Sequence, residues 1–130
     1  MDAAWVVEPQ LSAVKAAGGT VIASNFADTA PNLTIAAYFA GTKLIAEDPA
    51  LVKSFTEAIN ESLAYADAHP DEVRAVLSSY TKISEEVRAA LILPKWPTEV
   101  NRASLETLAE LGTTDGIFGD TEPDLGKLLP

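Results

Sequence analysis

Asp48-Pro49-Ala50-Leu51-Val52-Lys53-Ser54-Phe55-Thr56-Glu57-Ala58-Ile59-Asn60-Glu61-Ser62-Leu63-Ala64-Tyr65-Ala66-Asp67-Ala68-His69-Pro70-Asp71-Glu72-Val73 reads as one long helix and the start of another. Leu51, Val52, Phe55, Ile59, Leu63 and Ala66 recur every three or four residues and form one stripe, with Lys53, Glu57, Asn60, Glu61 and Asp67 on the other side. Asp48 can cap free amides, and Pro49 presets φ at the first helical position, so the helix is expected to begin at Pro49. His69 precedes Pro70, whose ring disfavours helical geometry in the residue before it. The long helix is therefore expected to stop there and a second to start with Asp71 and Glu72 near its N-terminal dipole. The apolar stripe requires a partner surface.

Around this stretch the chain alternates short apolar runs with turn residues. Ala3 to Val7, bounded by Pro9, suits a buried strand. Gln10 to Ala17 reads as a short helix ended by Gly18 and Gly19, and Thr20 to Ala23 as a second strand. Strand, helix, strand at this spacing predicts a βαβ unit with parallel strands. Ser24 to Asn32 reads as a loop, Leu33 to Phe39 as a third strand, and Gly41 to Glu47 as a short helical turn. The expected class is α/β, divided at about residue 47: an α/β portion over 1–47, then helices over 48–130.

In that second part, Ser84 is a cap for a helix from Glu85 to about Leu91. An extended passage through Pro94 and Pro97 follows, then a last helix from about Arg102 to Leu111 ended by Gly112. The tail from Thr113 to Pro130 is weakly specified. Trp96, between Lys95 and Pro97, reads as an aromatic anchor pinning the extended passage to the core in preference to a ligand-stacking ring.

Bulk properties exclude several function classes. Asp and Glu outnumber Lys and Arg 19 to 9, a formal charge of -10, and the basic residues are scattered. Nucleic acid, which needs a positive footprint, is not an expected partner. Forty-eight per cent hydrophobic content with 7 glycines and 8 prolines is globular in character. There is no cysteine, hence no disulfide, thiolate metal site or cysteine nucleophile. The only histidine, His69, sits at a helix boundary before a proline, where capping or solvent exposure is expected in place of the general-base role a serine triad requires. No metal, cofactor or catalytic residue is expected, and the chain is not read as an enzyme. The opening residues lack a secretory pattern and look like the interior of a domain, as though an upstream half once joined at Met1.

The candidate site lies beyond the first strand. Ligands of parallel α/β sheets bind outside the carboxyl ends of strands, and Glu8 would sit there, just before a helix. Its carboxylate has two readings, a contact to a ligand donor group or a complement to the helix dipole. Asn25, Phe26 and Asp28 would emerge at the same edge, with Tyr38 facing it from the third strand.

The ordered set Asp-Ala-Ala-Trp-Val-Val-Glu-Pro, then Glu-Asp-Pro-Ala-Leu-Val-Lys-Ser-Phe, then Ala-Asp-Ala-His-Pro-Asp-Glu-Val resembles the substrate-binding proteins of ABC importers in the nitrate, sulfonate, taurine and thiamine-precursor group. The resemblance continues through Tyr80-Thr81-Lys82-Ile83 and Leu93-Pro94 to about residue 112. It implies a partial type II periplasmic-binding-protein fold, the C-terminal part of a two-lobed receptor: the later second lobe, then helices that return to brace the first. It further implies a small-molecule solute, an ABC permease as partner, an extracytoplasmic location, and Glu8 on the cleft wall supported by Trp5; Asn25, Phe26 and Tyr38, from the sheet-edge reading, are the further ligand-binding candidates. A related thiamine-pyrimidine synthase would carry cysteines near Ala36 to Ala40, which here read Ala-Ala-Tyr-Phe-Ala. The alternative is a non-catalytic interaction domain that forms a homo-oligomer through exposed apolar helix faces.

Overall fold

The computed structural model describes residues 2–121 and 123–129. Met1, where the sequence suggests a lost upstream half, lies outside them, as do Glu122 and Pro130 of the weakly specified tail. The elements in chain order are α1 (Gln10–Ala16), α2 (Asn25–Thr29), α3 (Thr42–Glu47), α4 (Pro49–Ala68), α5 (Pro70–Val76) with a 3-10 turn (Leu77–Ser79), α6 (Glu85–Ala90), α7 (Arg102–Thr114) and α8 (Leu125–Leu128). Among the described residues there is no strand.

The expected α/β class, its βαβ portion and the partial type II periplasmic-binding-protein fold are therefore overturned. Ala3–Val7, Thr20–Ala23 and Leu33–Phe39 carry β-rich residues but form no strand among the described residues. Strand propensity records how well a side chain fits a half-buried pleated surface, and it is not realised without neighbouring strands. Ile22, Ile35 and Phe39 are accordingly 85%, 53% and 93% exposed. The end of the first run is drawn into a helix instead, since the Val7 carbonyl accepts from the Leu11 amide at 2.9 Å. The expected loop over Ser24–Asn32 contains α2. There Asp28 accepts from the Ser24 amide at 2.9 Å and the Thr29 hydroxyl donates to the Asn25 carbonyl at 2.7 Å, so these turn-forming side chains close a helical turn on themselves.

The helical expectations around α4 hold. Asp48 caps it, accepting from the Leu51 amide at 3.0 Å, and Pro49 opens its first turn. At the other end the His69 ring donates from Nδ1 to the Tyr65 carbonyl, 2.8 Å away, and Pro70 opens α5 with Asp71 and Glu72 in its first turn. Ser84 caps α6 through the Val87 amide. Helix α7 does not end at Gly112. It runs to Thr114 and closes at Gly116, whose φ of 70° lets its amide reach the Thr113 carbonyl and the Ile117 amide reach the Gly112 carbonyl. Gly112 is small for another reason: a Cβ there would stand 2.5 Å from the Phe118 ring.

The chain forms two units. The first takes the described residues up to Ile22 together with Ala40–Thr98, the second Ala23–Phe39 together with the described residues from Glu99 onward. In the first unit α1 packs on α6, and α4 on both α3 and α5. The apolar stripe of α4 is only partly covered: Val52, Ile59, Leu63 and Ala66 are half-buried, while Leu51 and Phe55 stay exposed. Leu91 is the buried apolar side chain described in this unit and Ala30 its counterpart in the second. Each unit also buries one serine, Ser12 and Ser104.

Candidate functional site

Glu8 and Trp5 belong to the first unit, Asn25, Phe26 and Tyr38 to the second. Trp5 is 66% exposed, on the irregular run that leads to Glu8. Asn25 and Phe26 open α2, and Tyr38 lies on the irregular segment before α3. The sheet edge that was expected to gather Glu8, Asn25, Phe26, Asp28 and Tyr38 is not formed among the described residues.

Around Glu8 the geometry is well defined. Helix α1 starts with amides that have no intrahelical partner, and Glu8 reaches forward to serve one of them. Its Oε2 accepts from the Ser12 amide at 3.1 Å. Its Oε1 lies 3.0 Å from the Ser12 hydroxyl and 3.3 Å from the Ile92 amide, and accepts from both. The Ser12 hydroxyl is also 3.4 Å from the Ala90 carbonyl oxygen and shares its single proton between the two. The half-buried Glu8 carboxylate thus complements the start of α1 and also ties that helix to the segment after α6.

That segment hangs on further side chains. Arg74 Nη2 donates to the Leu91 carbonyl at 3.3 Å, and Asp67 Oδ1 accepts from the Trp96 amide at 3.1 Å. Trp96 is half-buried, as an anchoring role requires. An open depression of about 380 Å³ begins at Pro9 and runs between α1 and the start of α6, floored by Pro9, Ala13, Ile83 and Val87 with Gln10, Lys82 and Ser84 alongside; Glu8 is not among its lining residues. That volume is within the range of small-ligand sites, and its lining is mostly apolar with a few polar groups, as such sites are.

The second unit is organised by Asn101, at the start of α7. Its side-chain oxygen accepts from the Ser104 amide at 3.4 Å, and its Nδ2 donates to the Pro31 and Asn32 carbonyls, both at 3.0 Å. Thr34 completes the knot. Its amide donates to the Ser104 hydroxyl at 3.0 Å and its hydroxyl accepts from the Asn101 amide at 3.1 Å. This fixes the chain between Asn25–Phe26 and Tyr38 to the start of α7.

Sequence reasoning missed Ser12, Asp67 and Asn101. Two of them carried a readable signal. Glu8 and Ser12 are four apart across a helix start, and Asn101-Arg-Ala-Ser104 has the spacing of a capping residue and its target amide. The Asp67 contact to a backbone amide 29 residues away had none.

Among the described residues no group of His, Cys, Asp and Glu could hold a metal ion, and no helix is long and apolar enough to cross a membrane. The chain matches no curated protein and no solved structure. The family described as NMT1/THI5 like matches residues 1–73, a stretch that contains Trp5, Glu8, Asn25, Phe26, Tyr38 and all of α4. More than half of the chain is matched, and it belongs to the NMT1/THI5-like family of substrate-binding proteins, which are generally non-catalytic, typically extracytoplasmic, and serve solute transport with ABC permeases.

Proposed function

We propose that the chain is the C-terminal part of the solute-binding component of an ABC-type importer, capturing a small organic ligand outside the cytoplasmic membrane and presenting it to a permease. On this reading residues 1–47 belong to the receptor's second lobe, and 48–130 are helices that return to brace the first. The ligand classes are those of the family resemblance: a sulfonate, taurine, nitrate or a pyrimidine precursor of thiamine. Glu8 favours one with a donor group, such as the ammonium of taurine. Trp5 is the further contact proposed in the same unit, and Asn25, Phe26 and Tyr38 are proposed as ligand-binding residues of the second unit taken by itself.

The observation that carries this reading is the half-buried Glu8 carboxylate, within the stretch that matches the family. A carboxylate offers about four acceptor positions and three are occupied here, the one taken by the exposed Ile92 amide at the longest distance, 3.3 Å. The test is a thermal-shift screen of the receptor carrying both lobes. A cognate solute at a hundredfold excess over Kd stabilises by about 2.7 kcal/mol. If Glu8→Gln left the binding of every solute found unchanged, the assignment of Glu8 would fail.

A second reading, an interaction domain that self-associates, draws on Leu51 and Phe55, which are 53% and 50% exposed on the apolar stripe of α4. Light scattering on the chain separates the two. A monodisperse monomer that binds no apolar dye excludes the second reading.

A further inference from the structure

The segment 91–98 has no regular structure, and what holds it is a set of side chains. Leu91 is buried and its carbonyl accepts from Arg74, while the Trp96 amide is held by Asp67. Between these two anchors the Ile92 amide rests on Glu8 Oε1. The three bonds to the Glu8 carboxylate are unequal. Both from Ser12 are partly buried and local, at 3.1 and 3.0 Å, and Ser12 itself is only 6% exposed. The bond from Ile92 is the longest at 3.3 Å, is exposed, and closes a span of 84 residues. A donor that arrives from solvent therefore meets the Ile92 bond as the most easily displaced of the three.

We propose that residues 92–95 are a latch over Glu8, whose Ile92 amide holds the place on the carboxylate that the donor group of an amine-bearing solute takes, so that latch closure and occupancy of Glu8 exclude each other. The solute half of this rests on the reading of Glu8 as a ligand contact. The latch half rests on the hydrogen bonds alone. Release is confined to the bow between Leu91 and Trp96, because the Arg74 and Asp67 contacts do not involve Glu8.

The test is residue-resolved amide exchange on the whole chain, with circular dichroism to confirm that each variant is folded. In the wild type the Ile92 amide is protected. Glu8→Ala speeds its exchange about tenfold or more, as loss of a hydrogen bond to a charged group requires, and leaves Trp96 unchanged. Asp67→Asn does the reverse. Should Glu8→Ala not fold, Ile92→Pro removes the donor instead; Leu91 already has the φ of -56° and ψ of 131° that a following proline demands. An Ile92 amide that exchanges freely in the wild type, or is unmoved by Glu8→Ala, overturns the latch.

Taurine is the probe for competition. It is expected to speed Ile92 exchange in the wild type and to bind Ile92→Pro more tightly. Taurine binding that leaves Ile92 protected overturns the competition and spares the solute reading. Failure of both proteins to bind taurine, each tested within the receptor carrying both lobes, overturns taurine as the solute and with it the competition, while the latch is still decided by the Glu8→Ala exchange.

Discussion

Ser12 donates to the Glu8 carboxylate twice, from its amide at 3.1 Å and from its hydroxyl at 3.0 Å. The serine is buried and the carboxylate half-buried, so the hydroxyl cannot be replaced by bulk water without cost. Ser12→Ala removes one hydrogen bond to a charged acceptor and is expected to lower stability by about 1.5 kcal/mol. Denaturant unfolding measures this as a lower midpoint at an unchanged slope. A loss well under ~0.5 kcal/mol would mean that solvent already reaches the carboxylate, and that Ser12 is not what orients it.

Asn101 combines two jobs in one amide. Its oxygen caps α7 and its nitrogen donates to the Pro31 and Asn32 carbonyls. Asn101→Ala loses all three bonds and is expected to cost about 2 kcal/mol. Asn101→Asp keeps the cap but turns a carboxylate oxygen toward two carbonyl oxygens. At neutral pH it is expected to be no better than alanine, and it recovers in acid, where the protonated carboxyl again supplies a donor. Unfolding curves of the two variants at both pH values separate the capping role from the tethering role.

These two residues also show what the sequence disclosed and what it hid. Local signals were accurate: Asp48-Pro49, His69-Pro70, Ser84 and Gly18 set the helix ends at or within a residue of where they fall. The β-rich runs misled because a strand is completed by its neighbours, and Ile22, Ile35 and Phe39 have no adjoining strand among the described residues. Gly112 misled for a related reason. A helix-ending glycine and one that makes room for an aromatic ring look alike until Phe118 is seen against it. Glu8 was legible as a residue of interest and as a complement to α1, but its bond to Ile92 was not, because 84 residues separate the two.

Gly112, in the last turn of α7, and Gly116, just beyond its end, are expected to respond differently to alanine. Gly116 has a φ of 70°, where a Cβ meets the following carbonyl, so Gly116→Ala is expected to cost about 1–2 kcal/mol. Gly112→Ala forces the Phe118 ring aside, but that ring is 40% exposed and has room to swing. Removing a mid-helix glycine returns up to about 1 kcal/mol of helix propensity. Its net effect is therefore expected to be smaller than that of Gly116→Ala. Thermal unfolding of the pair tests the order, and the reverse order would mean that the Phe118 contact dominates the end of α7.

Tyr65 links α4 to α5. Its hydroxyl donates to Glu72 Oε2 at 2.8 Å, and its ring stacks on His69 with centroids 3.9 Å apart. The hydrogen bond to Glu72, then desolvation, then the charge of that carboxylate hold the phenol above its usual value of 10.0. A raised folded value means that the folded chain keeps this proton after the unfolded chain has lost it. The stabilisation is therefore fully present below pH 10.0 and is lost as pH rises from there through the folded value. Glu72→Gln removes the charge and weakens the hydrogen bond, so phenolate absorbance, taken as the difference from Tyr65→Phe, is expected to titrate earlier. The joint between the two helices is expected to lose its alkaline sensitivity with it. An unchanged titration in Glu72→Gln would mean that the hydroxyl faces water, and that the capping His69 alone sets the angle at Pro70.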